Sequence, residues 1–292
     1  MSSLLTNPSA MTALAALTQT QSSLNQVENQ ISTGKRIASA ADNASYWSIA
    51  TKMESNVGAL GSVNDALSES ASLTGTMSAA MSQAISVVKK IKNDLVEASN
   101  PGADLKAIQS DIAAQQSSLL SIGESANFNG QNWLATTAPG NVSLVASYDS
   151  TNGVSFLTID TTKTQLFNAT VGATQGILGA TGASSGVSIL SMNIGAATAG
   201  DLANMLKDVE TAIGALTTAG SILGSTTTNI TTQQTYVSNL SDSLTTGVGS
   251  LVDANMNEAA TKLAALQVQQ QLGIQALGIA NSNTQLILKL FQ

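Results

Sequence analysis

Both ends of this chain carry long apolar stripes at helical spacing, with few charged residues between them. Near the start, Ala10, Leu17, Leu24 and Ile31 recur seven apart; Val27 falls on the same stripe, while Gln21 and Glu28 flank it. That spacing predicts a heptad-like seam. Pro8 suits the start of such a helix and Gly34 its end. From Ser9 to Thr33 the helix is about 37 Å long. Near the other end, Met256, Leu263, Leu266 and Leu277 share one face, while Val268, Leu272, Ile279, Leu286 and Leu290 cover another, and Phe291 follows. Asn255 and Glu258 have capping-box spacing, with Asn in place of Ser or Thr. Apolar positions spread this widely predict a helix surrounded by partners. The two end helices can pair within one molecule, yet one pair leaves much apolar surface wet, and such patches mark interaction surfaces. The pattern fits either an ordinary helical bundle or copies that bury their ends against one another. An interface that repeats head to tail without closing makes a helical filament.

Composition supports helices and excludes several functions. Charged residues make up 10% of the 292, where about 25% is usual, and aromatic residues make up 3%, so bulky side chains for a thick core are scarce. The net charge is −7. Phosphate binding needs clustered cations, and only Lys89, Lys90 and Lys92 form a group. No nucleic-acid partner is expected, and no anionic membrane surface. There is no cysteine and no histidine. Disulfides, thiol nucleophiles and the usual zinc sites are thereby excluded, as is the commonest general base near neutral pH. Asp42, Asp104, Asp111 and Glu124 lack the spacing of metal ligands and suit helix termini and solvated faces. No catalytic, cofactor or metal site is expected. Met1 to Leu5 has no basic n-region and no apolar run follows, so no signal peptide is read. No stretch reaches the roughly 20 apolar residues of a membrane span.

Between the ends the pattern changes twice. Residues 34–45 read as a connecting segment. A second long helix is expected from Ala44 to Ala98, with Leu60, Val63, Leu67, Leu73, Met77, Ile85, Val88, Ile91 and Leu95 recurring on its faces. Asn100-Pro101-Gly102 breaks it. A third helix follows with Asp104 in its first turn and an end near Gly123. Val142 to Val145 and Val154 to Ile159 read as strands joined through Asp149 and Asn152-Gly153, a hairpin signal. Residues 160–200 are rich in Gly, Ala, Ser and Thr and are expected to form loops with little core. Helical spacing returns at Leu202, Met205, Val209, Ile213 and Leu216, with a break or hinge expected at Gly247 and Gly249. Arg36 is expected to pair with Asp42 or a neighbouring copy and to pack near the joint. Trp47 and Trp133 are read as local packing at the two ends of the helical layer.

Several motifs resemble bacterial flagellins. Ile31-Ser32-Thr33-Gly34-Lys35-Arg36-Ile37-Ala38-Ser39-Ala40-Ala41-Asp42-Asn43-Ala44 resembles the pattern Ser-Ser-Gly-x-Arg-Ile-x-Ser-Ala-x-Asp-x-Ala. Phe128-Asn129-Gly130 resembles the turn after the third helix of that family, and Gln270 to Asn281 with Leu286 to Phe291 is similar to its C-terminus. The resemblance implies a mainly α fold. A long antiparallel helical bundle or coiled coil comes from both chain ends, with a small β-rich middle. It implies residues 1–43 as an inner helix and connector, 44–135 and 201–252 as an outer helical layer, 136–200 as a small variable surface region, and 253–292 as a second inner helix. Subunit packing then falls to Leu17, Leu24, Ile31, Arg36, Leu263, Leu266, Leu272, Leu277, Ile279, Leu286, Leu290 and Phe291. The implied function is a structural, secreted filament subunit for swimming; the alternative is the hook–filament junction protein. A metalloprotease insert, known in some flagellins, needs His-Glu-x-x-His and has no histidine here. The implied partners are other copies and other flagellins, the cap and hook-junction proteins, and an export chaperone on residues 256–291. Export runs through the flagellum's own type III channel, and a chain without disulfides suits that threading. One departure stands out. Many flagellins carry Gln-Arg-x-Arg-Glu-Leu where Toll-like receptor 5 binds; alignment on Ala98-Ser99-Asn100 places Lys89, Lys90, Lys92 and Asn93 there. Lysine lacks the planar fork of arginine, so weak receptor activation is expected.

Overall fold

The computed structural model describes residues 7–169 and 175–290, and the side chains of the last helix as far as Ser282. In chain order the elements are α1 (Pro8–Thr33), α2 (Ala44–Ala98), α3 (Leu105–Ser125), β1 (Asn141–Asp149), β2 (Gly153–Asp160), the single turn α4 (Gly176–Gly179), α5 (Ala199–Val252) and α6 (Met256–Leu290). The chain divides into two compact units, residues 58–241 and residues 1–57 with 242–292.

Polar side chains cap most helix starts. Asn7 Oδ1 accepts from the Ala10 N–H at 3.1 Å, Pro8 occupies the first turn, and Gly34 closes α1 at φ 69°. A side-chain acceptor satisfies one of the amides left without a partner in the first turn. Asn43 Oδ1 does the same for Ser45 and Tyr46 at the start of α2. Asp104 proves to be the cap itself rather than a first-turn residue, accepting from Lys106 and Ala107, and α3 runs two residues past Gly123 to Ser125. Thr198 and Asp201 form a reciprocal box at the start of α5.

The unit of residues 58–241 has a complete core. Leu60, Leu67, Met77, Met81, Ile91 and Leu95 of α2 are fully buried, as are Ile112 and Leu119 of α3 and Leu216, Leu223 and Ile230 of α5. Helices α2 and α5 run antiparallel: Gln234 Nε2 donates to Ser68 Oγ at 3.0 Å, and Lys92 meets Glu210 at 2.7 Å. Gln115 of α3 donates to Asp94 of α2 at 2.6 Å. Strands β1 and β2 form one antiparallel hairpin with a bulge between Val145 and Ser147, and Gly153 turns at φ 77°.

Residues 160–200 depart from the expectation of core-poor loops. Leu166, Phe167, Leu178, Ile189, Met192 and Ile194 are buried. The Phe167 ring sits where a side chain on Gly123 would stand, so that glycine makes room for it. Gln116 donates to the carbonyls of Ile189 and Met192, and Gln109 accepts from the Ile194 N–H at 2.6 Å. A few large residues thus anchor a small-residue segment onto α3. Trp133 is buried, as expected of local packing, whereas Trp47 is 38% exposed.

The expected break at Gly247 and Gly249 is absent, because α5 continues to Val252. A helical glycine costs about 1 kcal/mol relative to alanine. Packing of Val248 and Val252 against Ile37 and Ala50 outweighs that cost.

Candidate assembly surface

Helices α1 and α6 form an antiparallel pair. Asn7 Nδ2 donates to the Ala280 carbonyl at 2.9 Å, and Gln270 meets Gln21 at 2.5 Å. The seam contains Leu24, Val27, Ala259 and Leu266, with Ile31 and Leu263 packed against it. Leu17 and Leu277 are half-buried on the same stripe. A Cβ on Gly273 would stand 3.3 Å from Leu17 Cδ1, so the glycine lets the two helices approach closely. Leu24, Ile31, Leu263 and Leu266 are therefore brought together within one chain.

The other apolar residues of the pair face outward. Met11 and Leu14 of α1 are exposed, as are Val268, Leu272, Ile274 and Ile279 of α6, with Ile279 at 65%. One helix partner covers one stripe, and α6 carries apolar residues on more than one. Five of these exposed side chains are aliphatic and unbranched by any polar atom, leaving them nothing to gain from water. Leu286 and Leu290 have side chains outside the described set, and Phe291 lies outside the described residues.

Arg36 does not pair with Asp42. Its Nη2 donates to the Leu251 carbonyl at 2.8 Å, and its backbone N–H donates to Val252 at 2.6 Å. Asp42 instead accepts from the N–H groups of Ser39 and Ala38 and from the Ser39 hydroxyl. The Ser39 amide and hydroxyl, then the Ala38 amide, hold the Asp42 carboxyl below its ordinary pKa. The connector is further tied down where Ala254 N–H donates to Gly34 at 2.9 Å, and Ile37 is buried beside Val252. Lys35 meets Glu54 at 3.0 Å on the surface, a contact of about 0–1 kcal/mol.

In the other unit, Lys89, Lys90 and Asn93 are exposed on α2, and Lys92 is half-buried against Glu210. Sequence reading missed Asp208, a buried carboxylate on α5. It accepts from the N–H groups of Ser184 and Ser185, at 3.0 and 2.7 Å. Burial pushes its carboxyl up, but the Ser185 and Ser184 donors together outweigh that and hold it below its ordinary pKa. No spacing rule marks a lone aspartate that caps a loop some twenty residues away. Among the described residues, no group of His, Cys, Asp and Glu could hold a metal ion, and no helix is long and apolar enough to cross a membrane.

Comparison with known proteins accounts for this arrangement. The family model of the bacterial flagellin N-terminal helical region matches residues 4–138, and that of the C-terminal helical region matches residues 206–291. Flagellin C of Rhizobium meliloti (strain 1021) is 41% identical, with the whole of both chains covered. The flagellin of Brucella melitensis biotype 1 is also 41% identical over the whole of both chains. A crystal structure of Bacillus cereus flagellin is 16% identical, covering 58% of this chain and 86% of that one, with a TM-score of 0.44. The matches at both ends define the class: a structural subunit that polymerises with copies of itself. This chain belongs to the bacterial flagellin family and is a subunit of the helical flagellar filament.

Proposed function

We propose that the outward faces of α1 and α6 carry the polymerisation. The observation behind this reading is the division of the pair's apolar residues into two sets. Leu24, Val27 and Leu266 hold α1 to α6, while Leu14, Val268, Leu272 and Ile279 stay exposed. Neighbouring copies then cover the second set, and Leu286, Leu290 and Phe291 contribute to the same subunit packing. Leu17, Ile31, Leu263 and Leu277 shape the pair from within. Arg36 acts at one remove, by pinning the connector to the end of α5. The five-part division of the chain follows: paired inner helices at 1–43 and 253–292, an outer layer at 44–135 and 201–252, and a small surface region at 136–200.

The role is structural and non-catalytic. The subunit leaves the cell through the flagellum's own export channel and works outside it. Before export, residues 256–291 bind a dedicated chaperone, which covers the same apolar face that later meets other copies. At the two filament ends, the partners are the cap and hook-junction proteins. Lys89, Lys90, Lys92 and Asn93 make the receptor-facing surface a poor ligand for Toll-like receptor 5. Lys92 is engaged by Glu210, and none of the lysines offers a bidentate fork. A reporter-cell response to monomer equal to that of a responsive flagellin would contradict this.

Polymerisation of the purified chain, intact and without residues 256–292, tests the central reading. Salt-induced or seeded filaments are expected from the intact chain alone. Filaments from the truncated chain would remove α6 from assembly.

A further inference from the structure

The first turns of α2 expose Tyr46, Trp47 and Ile49, at 45%, 38% and 47%. In a chain with two Trp, three Tyr and four Phe, two adjacent exposed rings are a concentrated feature. Exposed aromatics of this kind are the residue types that dominate binding energy at interfaces. Neither ring makes a hydrogen bond to the described residues, so the indole N–H and phenol O–H are left to solvent.

The unit of residues 58–241 holds a surface of matching chemistry. A groove of about 690 Å³ runs between α2 and α5, with Gly75, Ala79 and Ser82 on one wall and Gly224, Thr228 and Thr232 on the other. Three of its hydroxyls, those of Ser82, Thr228 and Thr232, have already committed their protons within their own helices. Ser82 donates to the Ser78 carbonyl at 3.0 Å, Thr228 to Gly224 at 3.1 Å, and Thr232 to Thr228 at 2.9 Å. What they turn outward is acceptor lone pairs. A fitting partner brings donors on flat apolar rings. Gly75 and Gly224 add a second observation. Glycine weakens a helix interior, yet a Cβ on either would meet nothing within 4 Å. No neighbour among the described residues uses that space, in contrast to Gly123, which the Phe167 ring fills.

We propose that Tyr46 and Trp47 of one copy dock into the groove around Gly75 and Gly224 of another copy. The inference rests on the filament reading, which guarantees that each copy meets others. Such a contact joins two different patches, so it can repeat head to tail along an open assembly. It is separate from the apolar faces of α1 and α6.

The absence of native cysteine makes the contact directly testable. Copies with Ser48→Cys and copies with Ser82→Cys are mixed, polymerised on seeds and treated with a short bis-maleimide. Crosslinked dimers are expected from the mixture, and only monomer from either variant alone. Trp47→Ala is expected to raise the critical concentration for seeded growth about tenfold or more. Ala79→Leu, which fills the groove and keeps helix propensity, is expected to do the same, with thermal melts of both monomers unchanged. Filaments that grow from the mixture without crosslinked dimers, with Trp47→Ala assembling normally, would overturn the docking while leaving the filament reading intact. Dimers from Ser48→Cys copies alone would also overturn it, by placing like against like. Failure of the unsubstituted chain to polymerise would instead bring down the filament reading on which the inference depends.

Discussion

The helices of residues 58–241 and the paired helices at the chain ends are made of similar small, charge-poor residues, but they place their apolar side chains differently. In the first unit, α2, α3 and α5 bury Met77, Met81, Ile91, Ile112 and Leu216 completely. Among the described side chains of the α1–α6 pair, only Leu24, Val27, Ala259 and Leu266 are buried, and Met11, Leu14, Val268, Leu272, Ile274 and Ile279 are exposed. The physical difference is the number of neighbours. A helix with partners on two sides and a packed segment above it can hide a wide apolar arc. A helix with one partner hides one stripe. The first unit therefore buries its large apolar residues within the chain, and on the proposed reading other copies supply the neighbours that the second lacks.

Truncations separate the two cases, and the largest effect belongs to the complete core. Ile91→Ala or Phe167→Ala is expected to lower monomer stability by about 2–5 kcal/mol in denaturant melts. A loss near zero would mean the core of residues 58–241 is not closed. Gly123→Ala, which forces a methyl group into the Phe167 ring, is expected to cost about 1–3 kcal/mol. Asp208→Ala leaves the Ser184 and Ser185 amides without their acceptor and is expected to cost about 1–3 kcal/mol. Because the folded-state pKa of Asp208 is depressed, its contribution is present above the ordinary carboxylate value and lost as pH falls through the folded-state value, below about pH 4. The variant's stability should accordingly show a shallower acid limb than that of the unsubstituted chain. Asn255→Ala removes the cap of α6 and is expected to cost about 1 kcal/mol, read as lost helicity. Smallest of all in the monomer is Leu272→Ala, within about 0.5 kcal/mol, although it should raise the concentration needed for filament growth. A large monomer effect there would show Leu272 already covered within the chain.

Much of this contrast was legible from residues alone. The bounds of α1 follow from Pro8 and Gly34, and α2 ends before Asn100-Pro101-Gly102, because glycine and proline act locally. The seam at Leu17, Leu24 and Ile31 is legible because a heptad period survives in sequence. Besides Asp208, three features escaped. The packing of Leu166, Phe167, Leu178 and Ile194 has no period, so nothing distinguishes those residues from apolar residues in loops. Gly247 and Gly249 looked like a break because glycine propensity is local, while the contacts that override it come from Ile37 and Ala50, distant in sequence. Of the two pairings expected for Arg36, with Asp42 or with a neighbouring copy, the first is absent: its guanidinium meets a backbone carbonyl at Leu251, near the joint, and carbonyls are invisible to charge counting. At the assembly surface, the apolar set was legible as a whole. Its division into inner seam and outer face required the antiparallel register of α1 against α6.

Amide hydrogen exchange, measured residue by residue on monomer and on filament, tests the central claim most directly. Protection follows the free energy of local opening. The account predicts that residues 8–33 and 256–282 exchange rapidly in the monomer and gain orders of magnitude of protection in the filament, while the buried stretches of residues 58–241 are strongly protected in both. Equal protection of the two regions in the monomer, unchanged on assembly, would contradict it.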